Sequence, residues 1–132
     1  MIGIGIYVKN SPSALEMYKK AFDLELGYHV MNSDGTYFHS ELSRKGEPFL
    51  SVVESKVDTI VPVNPVQLGV DFECRSDLEN AFKILSQNGK VELDICELPW
   101  SPCAAIVTDR FGVNWFLSLP QHKPAEDWSP EE

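Results

Sequence analysis

A chain of 132 residues, 43% hydrophobic and 23% charged, is sized for one globular domain that buries about 68% of its surface, and is too apolar to stay disordered. Twenty acidic residues against eleven basic ones give a formal net charge of −9, which opposes a phosphate backbone and argues against nucleic acid as a partner. No apolar run approaches the ~18 residues of a membrane span, no leader pattern opens the chain, and Cys74, Cys96 and Cys103 are too few and too scattered for a disulfide framework or zinc knuckle, so a cytoplasmic protein is expected.

The opening stretch IGIGIYV alternates strictly. Successive strand side chains point to opposite faces, so one face carries Ile2, Ile4, Ile6 and Val8 and the other Gly3, Gly5 and Tyr7. Two glycines in a strand leave that second face nearly bare, which predicts that something else uses the space. In NSPSALEMYKKAF, Asn10 or Ser11 can cap a helix and Pro12 can occupy its first turn, with Ala14, Leu15, Tyr18, Ala21 and Phe22 as the buried stripe.

Residues 24–32 and 36–43 then read as a hairpin about Asp34-Gly35, the strongest short turn signal in the chain. With a two-residue turn, facing positions sum to 69. His29 then opposes Ser40 and His39 opposes Val30, so the two histidines lie on opposite faces and a paired-histidine metal site is not expected. One face of the hairpin carries Tyr28, Val30, Tyr37, His39 and Glu41, and this face is assigned to a cavity. His39 beside Glu41 could serve as an acid–base pair or anchor a polar ligand. PFLSVVE supplies a fourth strand and completes a βαβββ unit.

After the connector SKVDTIVPVNPV the pattern restarts. QLGVDFEC alternates as a strand, SDLENAFKILSQNG is predicted to be a capped helix burying Leu78, Ala81, Phe82 and Leu85, and KVELDICEL, PCAAIVTD and GVNWFLSL supply three more strands. The halves match at an offset of 66 or 67 residues, Gly3 falling on Gly69, which predicts a tandem repeat. The predicted fold is α+β: two βαβββ modules, 1–54 and 67–120, joined by a linker at 55–66. Each forms a curved, mainly antiparallel sheet with a helix on its outer face, and residues 121–132 form an acidic, loosely ordered tail. Curved sheets with bare inner faces make a concave pocket. Gln67, Asp71 and Glu73, with Asn114, Phe116 and Ser118, are expected to face it. Trp115 is expected in the core, Trp100 at a rim, and Asp109-Arg110-Phe111-Gly112 in a structural turn. Cys103 could face the cavity, although a lone cysteine among Pro and Ala usually packs as a small hydrophobe. There is no GxSxG elbow, no P-loop and no GxGxxG opening a helix.

SALEMYKKAF, FHSEL and above all WSPCAAIVTDRFGVNWFLSL, in this tandem arrangement, resemble the vicinal oxygen chelate superfamily of glyoxalase, bleomycin-resistance and extradiol-dioxygenase folds, closest to its PhnB-like branch. The resemblance covers residues 1 to about 120. It implies that metal-dependent members draw His, Glu or Gln ligands from positions corresponding here to Gly3, roughly Ser51, Gly69 and Phe116, none of which supplies a strong donor. No metal or other cofactor is therefore expected. The resemblance also implies a homodimer. The function expected is metal-free binding of a small, neutral or cationic molecule, with Tyr7, Tyr28, Tyr37, His39, Glu41, Asp71, Trp100, Asn114 and Phe116 as ligand-binding candidates. The alternative is a glyoxalase-type lyase or isomerase, with His39 and Glu41 as catalytic candidates or with an unpredicted metal site.

Overall fold

The computed structural model describes residues 2–57 and 66–130. Most of the expected linker, 58–65, and the last two tail residues lie outside the described residues. The chain divides into two compact units on either side of that connector. The first contains β1 (Gly5–Val8), α1 (Ser11–Phe22), β2 (Leu24–Met31), β3 (Tyr37–Arg44) and β4 (Glu47–Glu54); the second contains β5 (Leu68–Asp71), α2 (Arg75–Ser86), β6 (Lys90–Leu98), β7 (Ser101–Thr108) and β8 (Asn114–Ser118). Each is a βαβββ unit with a four-stranded sheet, ordered β1-β4-β3-β2 and β5-β8-β7-β6. In both sheets the first strand runs parallel to the fourth and the other pairs are antiparallel.

In the first module, Ala14, Leu15, Met17, Tyr18, Ala21 and Phe22 bury one face of α1 against Val8, Leu42, Leu50 and Val52 of the sheet. The start of α1 is held twice. Asn10 Oδ1 accepts from the Ser13 amide at 3.4 Å, and Glu54, the last residue of β4, accepts from the Asn10 amide at 3.0 Å and the Ser11 amide at 2.7 Å. Burial pushes the Glu54 carboxyl up, but the Ser11 and Asn10 hydrogen bonds and the Lys9 ammonium outweigh it and hold the group below its ordinary value. Glu54→Gln is expected to remove about 1 kcal/mol of stability at pH 7. A carboxyl whose folded value is depressed contributes in full above its unfolded value, about 4.3, and loses that contribution as pH falls through the folded value. Urea midpoints of wild type and variant should therefore converge in acid and separate above about pH 5.

The hairpin reaches the expected pairing by another route. The Asn32 amide donates to the Thr36 carbonyl at 2.8 Å and Gly35 has φ 88°, so the loop is the three residues 33–35 and not the two-residue turn expected. That longer loop alone would set His29 opposite His39. A bulge at Phe38, between the pairs Val30↔His39 and Met31↔Tyr37, shifts the register by one and restores His29↔Ser40. A second bulge sets Gly27 and Tyr28 opposite Glu41.

Three boundaries also differ. The first strand starts at Gly5 rather than Ile2, because parallel pairing with β4 begins at Gly5↔Ser51 and Ile2 is 89% exposed. The corresponding strand of the second module stops at Asp71, and Cys74 becomes the exposed N-cap of α2, its thiol meeting Ser76 Oγ at 3.3 Å rather than capping a helix amide. Ser76, the first residue of the expected capped segment, lies within the helix, and Phe82 is only half-buried beside the fully buried Leu78, Ala81 and Leu85.

Trp115 is 1% exposed, as the alternation predicts, and its Nε1 donates to Asp109 Oδ2 at 2.8 Å. Asp109 Oδ1 accepts the Phe111 and Val113 amides at 2.9 and 3.1 Å, so this buried carboxylate organises the turn into β8. Cys103 is 2% exposed and alternates with Ala105 and Val107, which pair with Leu117 and Trp115; it packs with the core and not in the cavity. Among the described residues, no helix is long and apolar enough to cross a membrane.

Candidate functional site

The open face of the first module is assembled by strand pairing. Gly5 and Glu41 both pair with Ser51, which sets them on either side of the serine, and one step further along Tyr7 pairs with Val53 and Val30 with His39. The side chains of Ser40, Leu42, Leu50 and Val52 turn the other way, into the buried layer. A Cβ added at Gly5 would meet only Ser51 Cβ, at 4.0 Å, and one added at Gly3 would meet nothing within 4 Å, so the glycines leave this face open.

Two hollows lie along it. One, of about 540 Å³, is bordered by Gly3, Gly27, Glu41, Glu47 and Ser51; the other, of about 1090 Å³, by Tyr7, Lys9, Thr36, Phe38, His39 and Val53. Both volumes suit a small organic molecule. Glu41 belongs to the first and His39 to the second, and His39 Nε2 lies 2.8 Å from Glu41 Oε2, so this one hydrogen bond joins them. The Tyr28 ring lies tilted beside the imidazole with ring centroids 6.0 Å apart. Tyr7, Tyr28 and Phe38 are 69%, 67% and 55% exposed, which identifies them as surface aromatics rather than a core stripe.

Tyr37 is the exception among the candidates of this module. The Phe38 bulge turns it to the opposite face, where its ring meets the edge of His29 at 5.9 Å and its amide donates to Ser11 Oγ at 2.9 Å. Phe38 takes the place expected of Tyr37, and no feature of the local sequence marks the extra residue.

In the second module Gly69 pairs with Phe116 and Asp71 with Ser118, and a smaller hollow of about 270 Å³ is bordered by Gly69, Val70, Asp71, Ser118 and Gln121. Asp71 is exposed and Phe116 half-buried. Asn114 is only 8% exposed, and its amide is already engaged: Oδ1 accepts from Gln67 Nε2 at 2.8 Å and Nδ2 donates to Thr108 Oγ1 at 3.0 Å. Both ends of the amide are thus held within the module. Trp100, at the turn between β6 and β7, meets Trp128 edge-on at 5.9 Å, and its carbonyl accepts the His122 amide at 2.7 Å, so this part of the tail lies along the Trp100 loop.

The positions to which the resemblance assigns metal ligands hold two hydrogen atoms, a hydroxyl and a phenyl ring, at Gly3, Ser51, Gly69 and Phe116. None of these groups is a strong donor to a divalent ion. Among the described residues no three His, Cys, Asp or Glu side chains gather closely enough to hold one either.

No family model matches the chain, and no curated protein matches it in sequence. Solved structures do. A PhnB protein from Bacillus cereus is 22% identical with a TM-score of 0.76 over 89% of this chain and 98% of its own. A glyoxylase/bleomycin resistance protein/dioxygenase domain from Frankia sp. EAN1pec is 15% identical with a TM-score of 0.68 over 91% of this chain and 96% of its own. The fosfomycin resistance protein FosX from Listeria monocytogenes is 9% identical with a TM-score of 0.63 over 91% and 92%. At these identities the likeness shows the fold alone: the tandem βαβββ arrangement that these solved structures share.

Proposed function

We propose that the chain is a glyoxalase/bleomycin-resistance-like protein that holds a small, neutral or cationic molecule on the open face of its first module without a metal ion. The observation that carries this reading is the 2.8 Å contact between His39 Nε2 and Glu41 Oε2, set among aromatic rings that stand open. A carboxylate only accepts, so the imidazole N–H donates; in the neutral form of the ring Nδ1 is then an acceptor, and Glu41 keeps further lone pairs. Such a pair receives hydroxyl, amine or ammonium donors, while Tyr7, Tyr28 and Phe38 cover an apolar or aromatic body. The net charge of −9 favours a cation over an anion. The donor-poor set at Gly3, Ser51, Gly69 and Phe116 supports recognition without chelation. A homodimer, the commonest closed assembly, is part of the same reading.

After dialysis against a chelator, calorimetric titration with phenethylamine and its neutral counterpart 2-phenylethanol is expected to show tighter binding of the amine. His39→Ala and Glu41→Gln should each weaken that binding about tenfold, the loss of one charge-assisted hydrogen bond. Stoichiometric metal in the untreated protein, with binding abolished when it is removed, overturns the reading. The His39–Glu41 contact also favours a second one: a lyase or isomerase in which His39 Nδ1 takes a proton from the bound molecule and Glu41 stabilises the imidazolium. Turnover of a bound compound that disappears in His39→Ala while binding survives would mark it.

A further inference from the structure

The outer edge strands of the two sheets carry opposite chemistry. On β6, Lys90, Glu92, Asp94 and Glu97 are charged, the kind of side chain that keeps an exposed edge from pairing with another chain. Its counterpart β2 has no Lys, Arg, Asp or Glu from Gly27 to Met31, and there Tyr28, Val30 and Met31 are 67%, 39% and 45% exposed. In a chain of net charge −9, an uncharged apolar edge is where a second copy can approach without meeting like charge.

We infer that β2 pairs antiparallel with β2 of a second copy across a two-fold axis at His29, an inference that rests on the homodimer reading above. The segment is self-complementary about that residue. Tyr28 faces the partner's Val30 and Val30 faces the partner's Tyr28, giving two aromatic–β-branched cross-strand pairs of the stabilising kind on one side of the ribbon. Gly27, part of the bulge opposite Glu41, marks the inner end of the paired stretch. The nearest carboxylates of the strand, Glu25 in each copy, are carried eight positions apart along the ribbon, about 27 Å and beyond the ~8 Å screening length at physiological salt. An axis at Asp94, the middle of β6, would instead set two carboxylates directly opposite.

Light scattering tests the inference on the intact chain. Wild type is expected at twice the chain mass. His29→Glu and His29→Lys each set like charges directly opposite across the axis and should raise the dimer dissociation constant about tenfold or more. An equimolar mixture of the two variants should recover the dimer as a charge-paired heterodimer, which also shows that each variant folds. A wild type that stays monomeric overturns the homodimer reading and this pairing with it. A dimeric wild type whose mass neither substitution changes overturns the β2 pairing alone, as does dissociation of both variants with no recovery on mixing.

Discussion

Asp109→Ala is expected to lower the unfolding free energy by about 3–4 kcal/mol. The carboxylate is 3% exposed, and it accepts the Trp115 indole N–H through one oxygen and the Phe111 and Val113 amides through the other. Alanine strands all three donors, and the indole N–H lies in the core, where an unpaired donor costs roughly 1–3 kcal/mol by itself. Asp109→Asn should lose less, because its carbonyl oxygen still accepts while its NH₂ meets donors. Denaturant midpoints measured by circular dichroism, at unchanged denaturant dependence, check the value. Trp115→Phe should cost far less in the Asp109→Ala background than in wild type, a coupling of about 1–2 kcal/mol. A loss below 1 kcal/mol for Asp109→Ala would make the turn a passive connection.

Gly89→Ala is expected to cost about 2–3 kcal/mol. A Cβ built there would lie 2.5 Å from the Thr108 carbonyl oxygen, 3.0 Å from the Leu85 carbonyl oxygen and 3.1 Å from Asp109 Cα, all backbone atoms that cannot rotate aside. Gly89 is thus the point where the chain leaving α2 crosses the end of β7, immediately beside the carboxylate that orders the next turn. Gly69→Ala is the matched comparison: its Cβ would meet nothing within 4 Å, and the expected change is within about 0.5 kcal/mol. Amide exchange along β7 and β8 would place the damage from Gly89→Ala at this crossing. Because Gly89 and Asp109 touch the same turn, the two losses should not add.

Hydrophobic period carried most of the fold. Apolar residues at helical spacing marked α1, and strict alternation set Trp115 inward and Gly3, Gly5 and Tyr7 outward, because both signals are local and each is repeated in the two halves. The hairpin shows where such reading ends. Its loop is one residue longer than Asp34-Gly35 suggests, and only the bulge at Phe38 returns the histidines to opposite faces. The pairing of His29 with Ser40 was thus legible for a reason that was half wrong. A bulge adds one residue of no special composition, so Tyr37 and Phe38 exchanged faces without a sign in the sequence. The capture of Asn114 by Gln67 and Thr108 joins β8 to the end of β7 and to the residue before β5, and contacts between distant segments leave no mark in spacing. The segment SDLENAFKILSQNG reads as a helix that opens on Ser76, whereas α2 begins at Arg75 with Cys74 at its N-cap and no side-chain cap.

The bare positions at Gly3 and Gly69 bear on the history of the fold as much as on its present chemistry. Neither has a left-handed backbone, and among the described residues neither has a neighbour that a new side chain would have to displace. Donor groups can therefore be gained or shed there by single codon changes while the core is left alone.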